Sequence, residues 1–457
     1  MKKAALEVAL DIIKKISHYR YKAFIVGGAV RDHVLGMDPK DVDIATNMPM
    51  QVIGDLWRCY DIGKSKDFGI VVIAAEGHHF EVAQFRTDGD YKDGRRPESI
   101  QVASSLKEDV SRRDFTINAL GMNAAGEIVD FVGGRADLES GVIRTVGSPS
   151  DRFSEDYLRM LRAVRFAARF GFVLEEETEA AIRQYASRIS NLAVERVREE
   201  LFKAAALSGR LFAQYIELLE RTGLLDIILP EVAALKGLYH DLRHHPEAGG
   251  NVFGHAIEAL KAYDGSDPIV NMAILFHDIG KGATLGTSKT GSPTFYDHDT
   301  VGVEMFGGIA SRLKLSNKER EAISFTIGHH MAFHLIMEMK ASKVAKLVLS
   351  PHWDLLTAVA RADEEARGCD PQATEMFNAR ISRAEDIRET WGKAVAGGNV
   401  SVIDGNTVME VTGLKPGPEV GRLIRLATTW AVDHNVTDKK EIEGFVRQQV
   451  AAAARPS

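Results

Sequence analysis

The spacing of hydrophobic and polar positions changes near residue 150 of this chain. Before that point, apolar and polar residues alternate in short runs, as in the segment from Asp41 to Ile44. Such alternation is typical of half-buried strands. From Asp151 onward, apolar residues recur every three or four positions, which is the spacing of amphipathic helices. The pattern predicts an α+β fold, with a small mixed-sheet head followed by all-helical regions.

The head is predicted to contain a first helix near the N-terminus and several short strands. The strands are expected at residues 23–26, 41–44, 70–75, 80–85 and 129–134. The helical part divides where composition changes, and histidines concentrate in its middle segment. We therefore expect four regions: 1–150, 151–236, 237–370 and 371–457.

Composition fits an ordinary globular protein. Apolar residues make up 45% and charged residues 26%, so fibrous and wholly disordered classes are excluded. Two cysteines are too few for a disulfide framework. The first sixteen residues predict an amphipathic helix instead of a secretory signal, and no apolar run has the length of a membrane span. A cytoplasmic protein without membrane contact is expected.

The net charge of -7 argues against general coating of nucleic acid but leaves room for a local basic groove. Gly27 and Gly28 stand between a predicted strand and a predicted helix. Two glycines there let the main chain approach a phosphate, and the helix N-terminus adds N–H donors. Arg31 can supply a charged donor to the same oxygens. The alternative is a tight turn without a ligand.

Acidic residues follow this turn. Asp41 and Asp43 are two apart on a predicted strand, so both carboxylates should face the same side. Carboxylate oxygens suit Mg²⁺, and a metal centre with clustered carboxylates can run an in-line displacement at phosphorus. Glu81, on a later predicted strand, is the candidate third carboxylate.

Two further groups of residues could bind a nucleotide. Arg112 and Arg113 can neutralise triphosphate charge. Asp114 and Asn118, four apart on a predicted helix, can reach one ligand such as a ribose hydroxyl. The segment 86–100 is rich in glycine and charge and predicts a loop.

The helix expected after residue 155 is rich in arginine and includes Arg162 and Arg165. Asp156 and Arg159 are three apart and thus neighbours on a helix surface. Asp156 can accept from the exocyclic amine of cytosine or adenine, and Arg159 can donate to the adjacent ring nitrogen. Uracil and guanine would leave this pair unmatched, at about 1–3 kcal/mol per contact. The pair thus predicts a protein template for CTP and ATP; the alternative is a salt bridge on a solvated helix face.

The histidine-rich segment predicts a metal site. It contains, in order, His255, the adjacent pair His277 and Asp278, His298, His329, His330 and Asp363. Histidine and carboxylate ligands from several helices suit Mg²⁺, Mn²⁺ or Ni²⁺. The ordered His, His-Asp, Asp pattern resembles the HD phosphohydrolases, and this resemblance implies His255, His277, Asp278 and Asp363 as metal ligands and His298, His329 and His330 as candidate second-site or substrate groups.

Several motifs in order resemble the class II bacterial tRNA nucleotidyltransferase and poly(A) polymerase family, which includes the CCA-adding enzymes. The motifs are GGAVRD, DVDIAT, RRDFTINAL, DFVGG and EDYLRMLRAVRFAARFGF. The histidine segment resembles the HD phosphohydrolases. The resemblance implies addition or repair of the 3′-terminal CCA of tRNA with CTP and ATP, Mg²⁺ in the head, and tRNA as partner.

The alternatives stay open at this point. A poly(A) polymerase shares the head, although GKSKDFGIVVI from Gly63 resembles the tRNA enzymes more. The segment 86–100 resembles the mobile loop of those enzymes, which disfavours a CC-adding enzyme but not an A-adding one. A degenerate RNA-binding head serving an HD hydrolase is the alternative of another class. Whether the HD segment hydrolyses phosphoesters or only holds tRNA, and the oligomeric state, are not readable from the sequence.

Overall fold

The protein was analysed as a computed structural model. The residues that it describes are 3–39, 41–60, 69–88, 100–240, 247–368, 371–392 and 402–453. The chain forms two compact units. The first contains residues 1–207 and 211–233, and the second contains residues 208–210 and 234–457.

The strands of the first unit are short. They are β1 (Ala23–Val26), β2 (Asp43–Thr46), β3 (Cys59–Tyr60), β4 (Ile70–Ala75), β5 (His78–Gln84), β6 (Arg86–Asp88), β7 (Ile100–Val102), β8 (Gly121–Met122), β9 (Ile128–Val129), β10 (Val142–Ile143) and β11 (Val173–Leu174). Seven of them form one mixed sheet in the order β3-β4-β5-β2-β1-β8-β9. Strand β2 pairs antiparallel with β1 and parallel with β5, which places Asp43 opposite Glu81.

Helices cover the sheet and continue beyond it. Up to residue 233 they are α1 (Ala5–His18), α2 (Gly28–Val34), α3 (Met50–Leu56), α4 (Leu106–Ser111), α5 (Gly134–Ser140), α6 (Pro149–Glu155), α7 (Leu158–Phe170), α8 (Glu176–Tyr185), α9 (Val194–Ala205), α10 (Gly209–Arg221), α11 (Leu225–Ile228) and α12 (Pro230–Ala233). Helix α1 buries Ile12, Ile13 and Ile16 and packs on β1. The amphipathic first helix is therefore confirmed.

The second unit is helical apart from the hairpin of β12 (Gly286–Thr287) and β13 (Pro293–Thr294). Its helices are α13 (Val252–Ala262), α14 (Pro268–Phe276), α15 (Lys281–Thr284), α16 (His298–Arg312), α17 (Asn317–His334), α18 (Ala341–Val348), α19 (Trp353–Ala366), α20 (Pro371–Gly392), α21 (Gly405–Thr412), α22 (Pro418–Asp433) and α23 (Lys439–Ala453). Helix α14 is almost entirely buried and packs against α13, α17 and α19. These helices place the histidine segment in the core of the unit.

The predicted α+β class, a small mixed-sheet head followed by helices, is confirmed. Two strands differ from expectation. Asp41 lies in a bend and β2 begins at Asp43, and the strand expected at 129–134 ends at Val129, followed by bends and by α5 from Gly134. The predicted loop 86–100 begins in β6 and ends in β7, while residues 89–99 and most of GKSKDFGIVVI lie outside the described residues. The division into four regions stays a prediction. Within the described ranges, none of the helices combines the length and apolar character needed to cross a membrane.

Candidate functional sites

A group of carboxylates lies at the start of β2. Asp43 and Glu81 stand directly opposite each other on neighbouring strands, so their side chains project from the same face of the sheet. Asp41 precedes the strand, so the alternation of side chains along a strand orients Asp43 but not Asp41. The charge of Asp41 still acts on the Asp43 carboxylate. Clustered negative charges of this kind are stabilised by a cation, and hard oxygen ligands fit Mg²⁺.

The environment changes the acidity of Asp43. Although the residue keeps exposed surface, the protein atoms around its carboxyl group remove solvation and raise its pKa to about 6. Repulsion by Glu81 and Asp41 acts in the same direction, and the positive charge of Arg113 opposes it. The ionised form that a metal requires is therefore disfavoured when no cation is present.

Because a raised pKa lets protons compete with metal, we expect cation affinity of the head to depend on pH. Below about pH 6 each unit of acidification should weaken Mn²⁺ binding by up to about tenfold, the limit for displacement of one proton. Above about pH 7 the affinity should level off. The measurement is Mn²⁺ binding by electron paramagnetic resonance, taken as the difference between the native protein and Asp43→Ala. A difference that does not change between pH 5 and 8 would contradict this.

The predicted glycine turn is present. Gly27 has φ of 73° and lies directly before α2, in a region that favours glycine. A Cβ atom at this position would lie 3.2 Å from Nη1 of Arg113, so the main chain at Gly27 passes close to the Arg113 guanidinium. This brings the main chain at Gly27 and Gly28, the Arg113 guanidinium and the Asp43 charge into one region of the head.

The Arg31 side chain is held by other residues of the first unit. Its side chain is buried and donates to Asp32 Oδ1 at 2.6 and 2.8 Å and to Asn118 Oδ1 at 2.6 Å. Its guanidinium also lies over the ring of Phe170. In this structure these hydrogen bonds orient Asn118, and donation from Arg31 to a phosphate stays a prediction.

Arg112 and Arg113 share a partner that the sequence analysis missed. Asp109, only 1% exposed, accepts from Arg112 at 2.7 Å and from Arg113 at 2.9 Å, using a different oxygen for each. Helix α4 carries this aspartate, and the chain after α4 carries both arginines. One buried carboxylate thus holds the two guanidinium groups in place.

Asp114 and Asn118 do meet, but not on a helix. The chain forms a short 3₁₀ turn at Thr116–Asn118, and Asn118 Nδ2 donates to Asp114 Oδ1 at 3.2 Å. Arg162 of α7 donates twice to the other oxygen of Asp114, at 2.7 and 2.9 Å. Arg162 therefore ties this turn to α7.

The predicted neighbour geometry of Asp156 and Arg159 is wrong. Asp156 lies between α6 and α7 in extended conformation and accepts from both Nη atoms of Arg196, at 2.7 and 3.1 Å. Arg159 donates to Glu155 at 2.5 Å and to the carbonyl of Arg112 at 3.2 Å. The two side chains are thus held separately, by partners that their spacing could not reveal.

Arg165 also departs from expectation. Its guanidinium donates to Glu200 at 2.6 Å, and both side chains are largely buried. This ion pair joins α7 to α9. Its contacts are those of a structural residue, so the structure does not place Arg165 at a nucleotide.

In the second unit, histidines and one carboxylate converge in the core. His255 lies on α13, His277 and Asp278 follow α14, and His298 and His330 lie on α16 and α17. Two sets of three residues have ligand atoms within 4.8 Å of one another: His255, His277 and Asp278, and Asp278, His298 and His330. Asp278 belongs to both sets.

The histidine tautomers favour a cation. The Nδ1 atoms of His277, His298 and His330 each donate to the main-chain carbonyl three residues earlier, at 2.7–2.8 Å. These bonds assign the proton to Nδ1 and leave the Nε2 lone pairs facing the cluster. The Nε2 atoms of His298 and His330 are only 3.1 Å apart, and two lone pairs at that distance need a cation or a proton between them. Burial lowers the pKa of His330, which favours the neutral, metal-binding form.

Asp278 is ionised in this environment. Burial alone favours the neutral acid, but His277, when its Nε2 carries a proton in place of a metal, and Lys281 outweigh it and hold the pKa of Asp278 well below its usual range. The Nζ atom of Lys281 lies 2.6 Å from Asp278 Oδ2 and 3.0 Å from Nε2 of His240. The residues present thus fit a divalent metal.

The remaining predicted site residues differ in how close they lie to the cluster. Asp363 lies 2.9 Å from His255 Nε2 but belongs to neither set of three. His329 donates to the carbonyl of Phe325 at 2.7 Å and stacks on that ring, so its candidate role in the site is not supported. Arg367 and His334, which the sequence analysis missed, both contact Asp363.

Comparisons with known proteins find matches along both units of the chain. Family models match in order: the poly A polymerase head domain at residues 23–144, the probable RNA and SrmB-binding site of polymerase A at 171–236, and the HD domain at 251–368. The chain thus resembles a polymerase head, its probable RNA-binding site and an HD domain in succession.

Relatives that the chain matches include CCA-adding enzymes. The chain is 46% identical over 233 residues to that of Geobacillus kaustophilus and 44% identical over 233 residues to that of Bacillus subtilis. Each match covers 51% of this chain and 56% of the relative, so the chain spans about half the length of the curated relatives it matches. The crystal structure of the Bacillus stearothermophilus CCA-adding enzyme in complex with CTP superposes with a TM-score of 0.70 at 27% identity, over 99% of both chains. The resemblance predicted from the motifs is confirmed.

Proposed function

We propose that this protein is a tRNA nucleotidyltransferase that adds or repairs the 3′-terminal CCA of tRNA with CTP and ATP and releases pyrophosphate. The observation that carries the proposal is the group of Asp41, Asp43 and Glu81 beside the Gly27 turn and Arg113. Clustered carboxylates next to a glycine turn and a cation support transfer at a nucleotide triphosphate.

In this proposal the 3′-hydroxyl of tRNA attacks the α-phosphate in line. Asp41 and Asp43, with Glu81, would hold Mg²⁺, which when bound activates the hydroxyl and neutralises phosphate charge. Arg112 and Arg113, oriented by Asp109, would face the triphosphate. Asn118, held by Arg31 and Asp114, would face the ribose.

The separate holding of Asp156 and Arg159 supports a base-selecting role. Each side chain forms an ion pair with another residue, so neither depends on the other to compensate its charge. A carboxylate acceptor and a guanidinium donor fixed in this way could contact the edge of cytosine or adenine and reject uracil or guanine.

We expect Asp156→Ala to lower the preference for CTP over UTP and for ATP over GTP by about 10- to 100-fold, the scale of one or two buried hydrogen bonds. Arg159→Ala should mainly weaken use of the correct nucleotides. The measurement is kcat/KM for each nucleotide on a matched tRNA primer, with the exposed Asp151→Ala as control. An equal loss for all four nucleotides in Asp156→Ala would mean that the aspartate only anchors Arg196.

The test of the activity itself offers each nucleoside triphosphate separately to tRNAs ending before CCA, after C and after CC. A complete enzyme uses CTP on the first two primers and ATP on the third. Use of ATP on the third primer alone indicates an A-adding enzyme, and failure of that step alone indicates a CC-adding enzyme. Long adenosine tails on every primer indicate a poly(A) polymerase.

We also infer that the HD cluster binds a divalent metal such as Mg²⁺, Mn²⁺ or Ni²⁺ and hydrolyses phosphoesters. The facing Nε2 atoms of His298 and His330 and the ionised Asp278 support this over a scaffold that only holds tRNA. The grouping of Asp43 with Glu81 disfavours a degenerate head that serves only the HD domain. A cytoplasmic location stays a prediction from composition.

A further inference from the structure

Asp363 is a buried carboxylate whose two oxygens face different partners. Only 4% of the residue is exposed. Its Oδ1 atom lies 2.9 Å from His255 Nε2, on the side of the histidine cluster. Its Oδ2 atom accepts from Arg367 at 2.6 Å and lies 3.2 Å from His334 Nε2. The two oxygens are therefore not equivalent.

The partners of Oδ2 come from two helices. Arg367 directly follows α19, one turn after Asp363, and His334 ends α17, one turn after His330. An arginine keeps its charge at every relevant pH and holds a carboxylate oxygen in a fixed direction. A carboxylate held through Oδ2 cannot also turn that oxygen towards the cluster.

We propose that Arg367 is a positioning residue for the metal centre: it holds Asp363 so that the carboxylate offers only Oδ1 towards His255 and the cluster. The inference rests on the metal centre proposed above. His334, at the end of α17, has the same positioning role, because it contacts Oδ2 from a second helix. Asp363 then either binds the metal through Oδ1 alone or orients His255. In both cases Arg367 keeps Oδ2 from becoming a further metal ligand.

A purely structural role makes a different prediction. Pairs spaced by four residues on a helix surface stabilise a helix only slightly. Here the carboxylate is almost fully buried while 28% of the Arg367 side chain is exposed, so the arginine also compensates a buried charge. Loss of that compensation lowers stability, but it does not by itself change the ligand set of a bound metal.

The test is Co²⁺ binding to the full chain, followed by calorimetry and by the visible absorption of the bound ion. Asp278→Ala serves as the blank, since Asp278 belongs to both sets of cluster ligands and its loss leaves the carboxylates of the head unchanged. Arg367→Met should weaken Co²⁺ binding by about 10- to 100-fold, the usual effect of losing a group that orients a ligand. Its visible absorption should also fall, because a freed Asp363 can add a second oxygen and raise the coordination number.

Two variants provide controls. Arg367→Lys keeps a donor for Oδ2 and should bind Co²⁺ within about threefold of the native protein. Arg361→Met changes an arginine of the same helix that lies over the ring of Phe377, and it should leave affinity and spectrum unchanged.

The possible outcomes separate the two proposals. If the native protein and Asp278→Ala bind Co²⁺ alike, the proposed metal centre fails, whatever Arg367 does. If the native protein binds and Arg367→Met matches it in affinity and spectrum, the positioning inference is overturned. If Arg367→Met does not fold, His334→Gln decides the question: weaker Co²⁺ binding supports the inference, and native affinity overturns it.

Discussion

Replacing Asp43 with alanine should lower nucleotide addition by about 10³-fold while leaving tRNA binding within about threefold of the native protein. Asp43 lies opposite Glu81 on the neighbouring strand and within reach of the Arg113 charge. Losing one preorganised charge at a reacting phosphate typically costs about 10²–10³ in rate. All four nucleotides should lose activity alike, because the triphosphate is common to them.

The control is Asp55→Ala, an exposed acidic residue of the same unit on α3. It should keep native activity. Asp41→Ala should behave as Asp43→Ala does, although Asp41 lies outside the strand. Substantial Mg²⁺-dependent addition in both the Asp41 and Asp43 variants would contradict the assignment of the metal to these carboxylates.

Replacing Asp278 with alanine should abolish metal-dependent phosphoesterase activity, by about 10³-fold or more, and leave nucleotide addition within about twofold. Asp278 is shared by both sets of histidine ligands, so its loss disables both. The two sites belong to separate compact units, and changes at sites that share no partners are usually additive. Activities on a phosphodiester and on tRNA are measured on the same preparation.

Two controls accompany this variant. Asp278→Asn keeps the size of the side chain and its hydrogen bond to Lys281. It should also lose phosphoesterase activity and retain nucleotide addition. Glu304→Ala, an exposed acidic residue of α16, should keep both activities. If Asp278→Ala stayed folded and lost nucleotide addition as completely as Asp43→Ala, the independence of the two sites would be wrong.

The sequence identified the acidic residues of the head but not the contacts that the side chains of the head make. Alternation identified β2 and motif order identified Asp43, but only the parallel register with β5 placed Glu81 opposite it. Arg31 shows the reverse case: the residue was expected at a phosphate, yet it bonds to Asp32 and to Asn118, 87 positions away in sequence. Partners so distant along the chain are set by tertiary packing, which spacing does not encode.

Local geometry explains the other differences. Asp114 and Asn118 were expected to meet because they are four apart on a helix; they meet through a 3₁₀ turn instead. His329 and His330 could not be distinguished from sequence, because successive residues of a helix point about 100° apart and only packing selects the inward one. In the structure His330 faces Asp278, and His329 stacks on Phe325.

The central claim is addition of CCA, and sequencing the 3′ ends of the products tests it most directly. A tRNA lacking CCA is incubated with the full chain, CTP, ATP and Mg²⁺, with Asp43→Ala as the blank. The account predicts that the native protein adds three nucleotides in the order C, C, A and then stops, and that the blank adds none. A tail of repeated adenosines, addition that ends after CC, or products identical to the blank would contradict it.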